Sequence, residues 1–252
     1  MSTDAGWRGA TDGGADRIVL DETDSTMAEA RRRAPELRAP AWIMARRQTA
    51  GHGRRGRAWV SPEGNFAATV VLPAAGVPAQ AALRSFTASL ALHEALLACG
   101  ATTEALGLKW PNDVLLNGGK VAGILLESLP RGGVAIGVGV NLATAPGADD
   151  VEPGAVRPVA LAEETGARVS PADFLAVLAP AFAEWESRFV TYGFSPVRDA
   201  WLARAARLGE PVTARLPTEA VTGTFETVDA AGQLVLRTAA GRRSIAAADV
   251  YF

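Results

Sequence analysis

Apolar and polar positions along the chain change period several times, and each change marks an element. The pattern over Arg17–Glu22 predicts a first strand, and Trp42–Arg46 and Ala67–Leu72 predict two more. Between the first two, Thr26–Arg33 has helical spacing and opens on a capping box, Thr26-Met27-Ala28-Glu29. Ala79–Cys99 is rich in Ala and Leu and reads as one long buried helix. Leu108–Asn117 and Lys120–Leu129 read as a hairpin about Asn117-Gly118, a strong two-residue turn signal. A second hairpin turns over Pro130–Gly133 and returns along Val134–Asn141. Ser170-Pro171 and Ser195-Pro196 each place an N-cap before a proline at the first helical position, so two further helices are expected there.

Strands following a long helix indicate α+β: a mixed, largely antiparallel sheet packed with helices, rather than repeating βαβ units. Past Gly209 the segments shorten. Pro211–Arg215, Val221–Val228, Leu234–Thr238 and Arg243–Ala246, with turns at Ala231-Gly232 and Ala240-Gly241, predict a small all-β barrel. The expected organisation is a disordered tail over 1–16, a main domain over 17–206 and the barrel over 207–252. Ala143–Pro158, rich in Gly, Pro and Asp, is expected to be a mobile loop.

Composition narrows the function. With 48% apolar residues the chain can bury a proper core, and a net charge of −2 gives no global field favouring nucleic acid or anionic membrane. Cys99 has no second cysteine to pair with and fits a reducing compartment. No secretory h-region opens the chain and no apolar run reaches a membrane span, so a soluble cytoplasmic protein is expected. Only two of the 25 basic residues are lysines, Lys109 and Lys120; the rest are arginine. Lysine is a compact point charge and arginine a planar fork, so lysines kept against this bias mark candidate chemistry.

Gly51-His52-Gly53-Arg54-Arg55-Gly56 spells G-x-G-x-x-G but is not a dinucleotide fingerprint. No helix follows directly, and no acid stands between Glu63 and Glu94. Glycines that free the backbone, with Arg54, Arg55 and Arg57, suit phosphate or carboxylate in a loop that orders on binding. Gly118-Gly119-Lys120 lacks the earlier Gly and the Ser/Thr of a P-loop. His52 and His93 have no partners at metal-ligand spacing, so no zinc site is implied. Lys109-Trp110-Pro111-Asn112-Asp113 makes poor sense as packing alone. Pro111 breaks a strand ladder and leaves Asn112 and Asp113 available, Asp113 could help hold Mg²⁺, and Lys109 could neutralise an anion. Gly137-Val138-Gly139-Val140-Asn141 presents bare backbone to a flat group.

These segments, with Asp24-Ser25-Thr26, Gln48-Thr49-Ala50 and Gly119-Lys120-Val121-Ala122-Gly123-Ile124-Leu125, resemble the biotin–protein ligases in order and spacing from about residue 17 to 206. The resemblance implies the class II synthetase-like, biotin–lipoate ligase fold with a Src-homology-type C-terminal barrel. It implies that biotin's carboxylate attacks the ATP α-phosphate, with Mg²⁺, giving biotinyl-5′-adenylate. A lysine of a biotin carboxyl carrier domain of a carboxylase then attacks this mixed anhydride. By similarity, Ser25, Thr26 and Gln48 bind the biotin ureido end, Gly123 closes the pocket, and His52 and Gly53 belong to the loop over biotin. Lys109 and Arg54 are the catalytic pair at the carboxylate and α-phosphate. Arg55, Arg57, Trp59, Asn112, Lys120 and Asn141 serve the nucleotide, and Asp113 the metal. Two departures stand out: His52 replaces the family's usual Arg, a permanent cation, with a titratable imidazole, and Met27 stands where Asn is common.

The residues before Arg17 are too few for a helix-turn-helix, so a ligase without DNA binding is expected. The alternatives are a lipoate- or octanoate-transferring relative and a non-catalytic biotin sensor. A nucleic-acid module is disfavoured by the pI of about 5.8. Oligomeric state is left open.

Overall fold

The computed structural model describes residues 15–147 and 156–251. The chain runs β1 (Asp16–Thr23), α1 (Thr26–Arg33), β2 (Ala41–Gln48), β3 (Phe66–Leu72), α2 (Pro78–Ala82), α3 (Arg84–Ala98), β4 (Leu106–Lys109), β5 (Asp113–Leu116), β6 (Gly119–Leu129) and β7 (Gly133–Val140). It continues with α4 (Leu161–Thr165), α5 (Pro171–Tyr192), α6 (Phe194–Leu202), β8 (Pro211–Arg215), β9 (Ala220–Val228), β10 (Leu234–Thr238), β11 (Gly241–Ile245) and β12 (Asp249–Tyr251). β1 begins inside the expected tail; residues 1–14 of that tail, and 148–155 of the expected loop, lie outside the described residues.

The first seven strands form one sheet in the order β1-β2-β3-β7-β6-β5-β4. Only β1 and β2 run parallel, joined by α1 as crossover; the other neighbours are antiparallel, so the sheet is mixed and largely antiparallel as expected. Strand alternation splits the core in two. On β2, Trp42 and Met44 point to the large core shared with α3 and α5, while Ile43 joins the smaller cluster of Met27, Ala30 and Val71 beneath α1. Burying Trp42, with Phe182 edge-on at 5.7 Å, stabilises the fold by about 2–3 kcal/mol.

Several local expectations are corrected. The N-cap of α1 is Ser25, whose Oγ accepts from the Ala28 amide; Glu29 pairs with Arg32 and Arg33, so no capping box forms. The long helix is broken at Leu83 into α2 and α3. The first hairpin strand is two strands, because the chain reverses over Trp110–Asn112 and Lys109 comes to pair with Asp113 across the β4–β5 ladder. α6 is capped at Gly193, which leaves Ser195-Pro196 inside its first turn. Asn117 and Gly118 both adopt left-handed φ, as the predicted turn requires.

The C-terminal unit is an antiparallel sheet in the order β11-β10-β9-β8-β12. Among the described residues no ladder joins its edges β11 and β12, so the expected barrel is an open sheet. Its inner face is continuous with the main core: Phe225 lies 6.4 Å from Trp201, and Trp110 Nε1 donates to the Gly232 carbonyl at 3.0 Å. Among the described residues no helix is long and apolar enough to cross a membrane.

Candidate functional site

A cleft of about 390 Å³ opens over the face of β6 and β7, between α1, the loop after β2 and the C-terminal strand β12. Its floor is bare backbone because side chains two apart on a strand share a face. Gly137 and Gly139 of β7 lie on that face, and Gly123 of β6 is paired with Gly139. A methyl carbon at Gly139 would fall 2.3 Å from the Trp59 ring, so the indole lies directly on the backbone there. In this structure the flat group lying against these glycines is the protein's own Trp59. Met27 lies in the same way against Gly137, where an added carbon would be 2.9 Å from its Cε.

One end of the cleft is neutral and polar. Gln48 Oε1 accepts from the Thr26 amide at 2.8 Å and from Thr26 Oγ1 at 3.2 Å, and Thr69 Oγ1 donates to Thr26 Oγ1 at 2.9 Å. With its oxygen so engaged, the Gln48 amide nitrogen faces Gly51; a side chain there would meet that nitrogen at 2.9 Å and the Trp59 carbonyl at 2.8 Å. Gly51 is therefore a close-approach glycine, fastened by the Trp59 amide donating to its carbonyl at 2.9 Å.

The other end is cationic. Lys120 Nζ stands 2.6 Å from Asp113 Oδ1, and Lys109 Nζ 3.6 Å from Oδ2. Lys109 is 8% exposed. Burial pushes its ammonium below the ordinary lysine range and neighbouring Lys120 adds to this, while Asp113 holds it up. Burial pushes Asp113 up, but the two lysines outweigh it and hold the carboxyl below its ordinary value. Arg54 reaches in from the loop and donates to Asn112 Oδ1 at 3.2 Å; burial lowers its affinity for the proton, against the pull of Asp249 and Asp113. Lys120 also lies 5.6 Å above the Trp59 ring.

Of the residues singled out in the sequence, Ser25, Thr26, Gln48, His52, Gly53, Arg54, Arg57, Trp59, Lys109, Asn112, Asp113, Lys120, Gly123 and Asn141 all line this cleft. Arg55 does not: its backbone is left-handed, and its Nη1 meets Asp249 Oδ2 at 2.6 Å. Two residues expected to serve the nucleotide are engaged within the protein. Asn112 Nδ2 donates to the Ile124 carbonyl at 2.6 Å, and Asn141 Nδ2 to the Val159 carbonyl at 3.1 Å. Asp113 does not fit the expected magnesium site, because two ammonium groups already balance its charge and repel a divalent cation. Among the described residues no three carboxylate, His or Cys side chains gather to hold a metal. His52 Nε2 faces Glu127 at 3.6 Å, and Glu127 also pairs with Arg31. Sequence reasoning missed Met27 as a wall, Thr69 and Asp249. Of these, only Thr69 carried a signal, as a hydroxyl in an otherwise apolar buried strand.

Known proteins agree with this geometry. Residues 18–141 match the biotin/lipoate A/B protein ligase family, and residues 208–252 the biotin protein ligase C-terminal domain. A biotin–[acetyl-CoA-carboxylase] ligase of Paracoccus denitrificans is 58% identical, with 93% of this chain and 99% of that protein aligned. The biotin protein ligase of Aquifex aeolicus, solved with biotin and ATP, superposes with a TM-score of 0.79 at 26% identity over 93% of this chain and 97% of that one. The Leishmania major enzyme, solved with biotinyl-5-AMP, gives 0.65 at 27% identity over 92% and 98%. This chain belongs to the biotin/lipoate A/B protein ligase family, and within it to the biotin protein ligases with their C-terminal domain.

Proposed function

We propose that the protein joins biotin to ATP as biotinyl-5′-adenylate, releases pyrophosphate, and passes the biotinyl group to a lysine of a biotin carboxyl carrier domain. The observation that carries this reading is the polarity of one cleft. A neutral hydrogen-bonding end suits a ureido ring, a glycine floor suits an apolar chain, and a cluster of Lys109, Lys120, Arg54 and Arg57 suits a carboxylate meeting a triphosphate.

In this reading Lys109 and Arg54 neutralise charge where the carboxylate oxygen meets the α-phosphorus, and no enzyme nucleophile is needed. Asp113 helps keep Lys109 charged and holds both lysines aimed. Thr26 and Gln48 orient the ureido group, with Ser25 holding the helix start beneath them. Trp59 swings off Gly139 to cover the ligand that replaces it, while Arg57 and Lys120 face the nucleotide. Magnesium, if supplied with ATP, would neutralise phosphate charge without Asp113, which the two lysines already engage. Residues 17–206 form the catalytic domain and 207–252 the domain that supplies β12 to the rim. Its substrates set the reaction in the cytoplasm.

The test is transfer itself. With biotin, ATP and a carboxyl carrier domain, one biotin is expected on a single carrier lysine; transfer of octanoate or lipoate in place of biotin would assign the protein to the other branch of its family.

A further inference from the structure

The loop after β2 is tied to the C-terminal strand by one carboxylate. Asp249, in β12, is 17% exposed and receives Arg55 at 2.6 Å and Arg57 at 3.1 Å, with Arg54 Nη1 at 3.9 Å. Arg54 Nη2 also reaches the neighbouring Ala248 carbonyl at 3.5 Å. Arg54 and Arg57 face the cleft and Arg55 does not. Arg55 has a φ of 59°, a conformation unfavourable for a residue with a Cβ, and its guanidinium is held by Asp249 of β12. The loop is otherwise closed by few backbone bonds, the Gly53 amide to the Arg57 carbonyl at 2.8 Å among them.

We propose that Arg55 and Asp249 form a latch, with Arg55 acting as a positioning residue and not as a nucleotide ligand. The latch fixes the loop on the C-terminal unit, compensates the left-handed turn at Arg55, and holds Arg54 and Arg57, which reach the same carboxylate, at the cleft edge where the phosphates would lie. The C-terminal unit thereby acts on ATP through the loop while contributing no cation of its own. The inference rests on the ligase reading for the identity of the anion, and on geometry alone for the latch.

A double-mutant cycle tests it: Arg55→Gln, Asp249→Asn and the double variant, with Asp249→Glu as the charge-conserving control. Hydrogen exchange of segment 51–59 without ligand is followed beside the KM for ATP and kcat of biotin-dependent pyrophosphate exchange. Each single variant is expected to raise the KM for ATP about tenfold, with kcat within about threefold, and to speed exchange of the empty loop. The double variant should be no worse than Asp249→Asn alone, which also releases Arg57, and Asp249→Glu should recover most of the loss. Additive effects would overturn the latch, as would Arg55→Gln raising KM with the empty loop as protected as in wild type, since Arg55 would then contact the nucleotide directly. Wild-type protein with no biotin-dependent exchange would instead refute the ligase reading; the loop measurement, which needs no substrate, would still decide the latch.

Discussion

Lys120 Nζ stands 2.6 Å from Asp113 Oδ1, and the same carboxylate faces Lys109 Nζ at 3.6 Å, so one buried anion serves two cations. Lys109 keeps its proton against burial because Asp113 offsets part of the cost. The charge that would neutralise an incoming anion thus depends on a residue that need not touch it.

Asp113→Asn should therefore shift the alkaline limb of the pH–rate profile. Lys109 is already below the ordinary lysine range, and losing the carboxylate lowers it further, so activity should fail at lower pH than in wild type. A profile in pyrophosphate exchange with an unmoved alkaline limb would contradict this dependence.

Gly139→Ala should evict Trp59, because its new carbon would lie 2.3 Å from the ring. The expected result is red-shifted tryptophan emission in the empty protein and biotin affinity weakened by roughly tenfold or more, about 1.4 kcal/mol. Unchanged emission from Gly139→Ala would mean that Trp59 does not rest there in solution.

His93 offers a stability measurement. It is 2% exposed in α3, its Nδ1 has no hydrogen-bond partner among the described residues, and burial with nearby Arg204 pushes the imidazole down to about 4. The unfolded chain takes up this proton near pH 6.5. Stability is therefore complete above that pH and falls as pH drops from about 6.5 to 4, by roughly 2–3 kcal/mol. His93→Leu should flatten this part of the urea-midpoint profile; a variant as pH-sensitive as wild type would contradict the assignment.

Arg84 is a second buried cation, packed in the core beside α5. It donates to Glu186 at 2.8 Å and to the Ala75 carbonyl at 2.8 Å, and lies 5.0 Å over Phe189. Glu186 is pushed up by burial against the pull of Arg84. Arg84→Met should cost about 3–5 kcal/mol in urea unfolding, because it strands that carboxylate, and adding Glu186→Gln should recover much of the loss.

What the sequence disclosed follows from how local each signal is. Strand periodicity and the Asn117-Gly118 turn are local, and they located most of the sheet. β12 is three residues long and exists only through pairing with β8, so no pattern announced it. The reversal over Trp110–Asn112 was hidden because residues on both sides share one strand-like pattern. Residue types in the loop and around the two lysines revealed the cationic end of the cleft. They did not reveal placement: Arg55 has the same chemistry as Arg54 and Arg57 and meets the same Asp249, yet only Arg54 and Arg57 line the cleft. Asp249 lies nearly two hundred residues from the loop it holds, in no motif, and only the fold brings it there.

The most direct measurement is exchange of labelled pyrophosphate into ATP, with and without biotin, for wild type and Lys109→Ala. Biotin-dependent exchange in wild type, reduced at least a hundredfold or so in Lys109→Ala, is the predicted result. Exchange driven by octanoate but not by biotin, or undiminished in Lys109→Ala, would contradict the account.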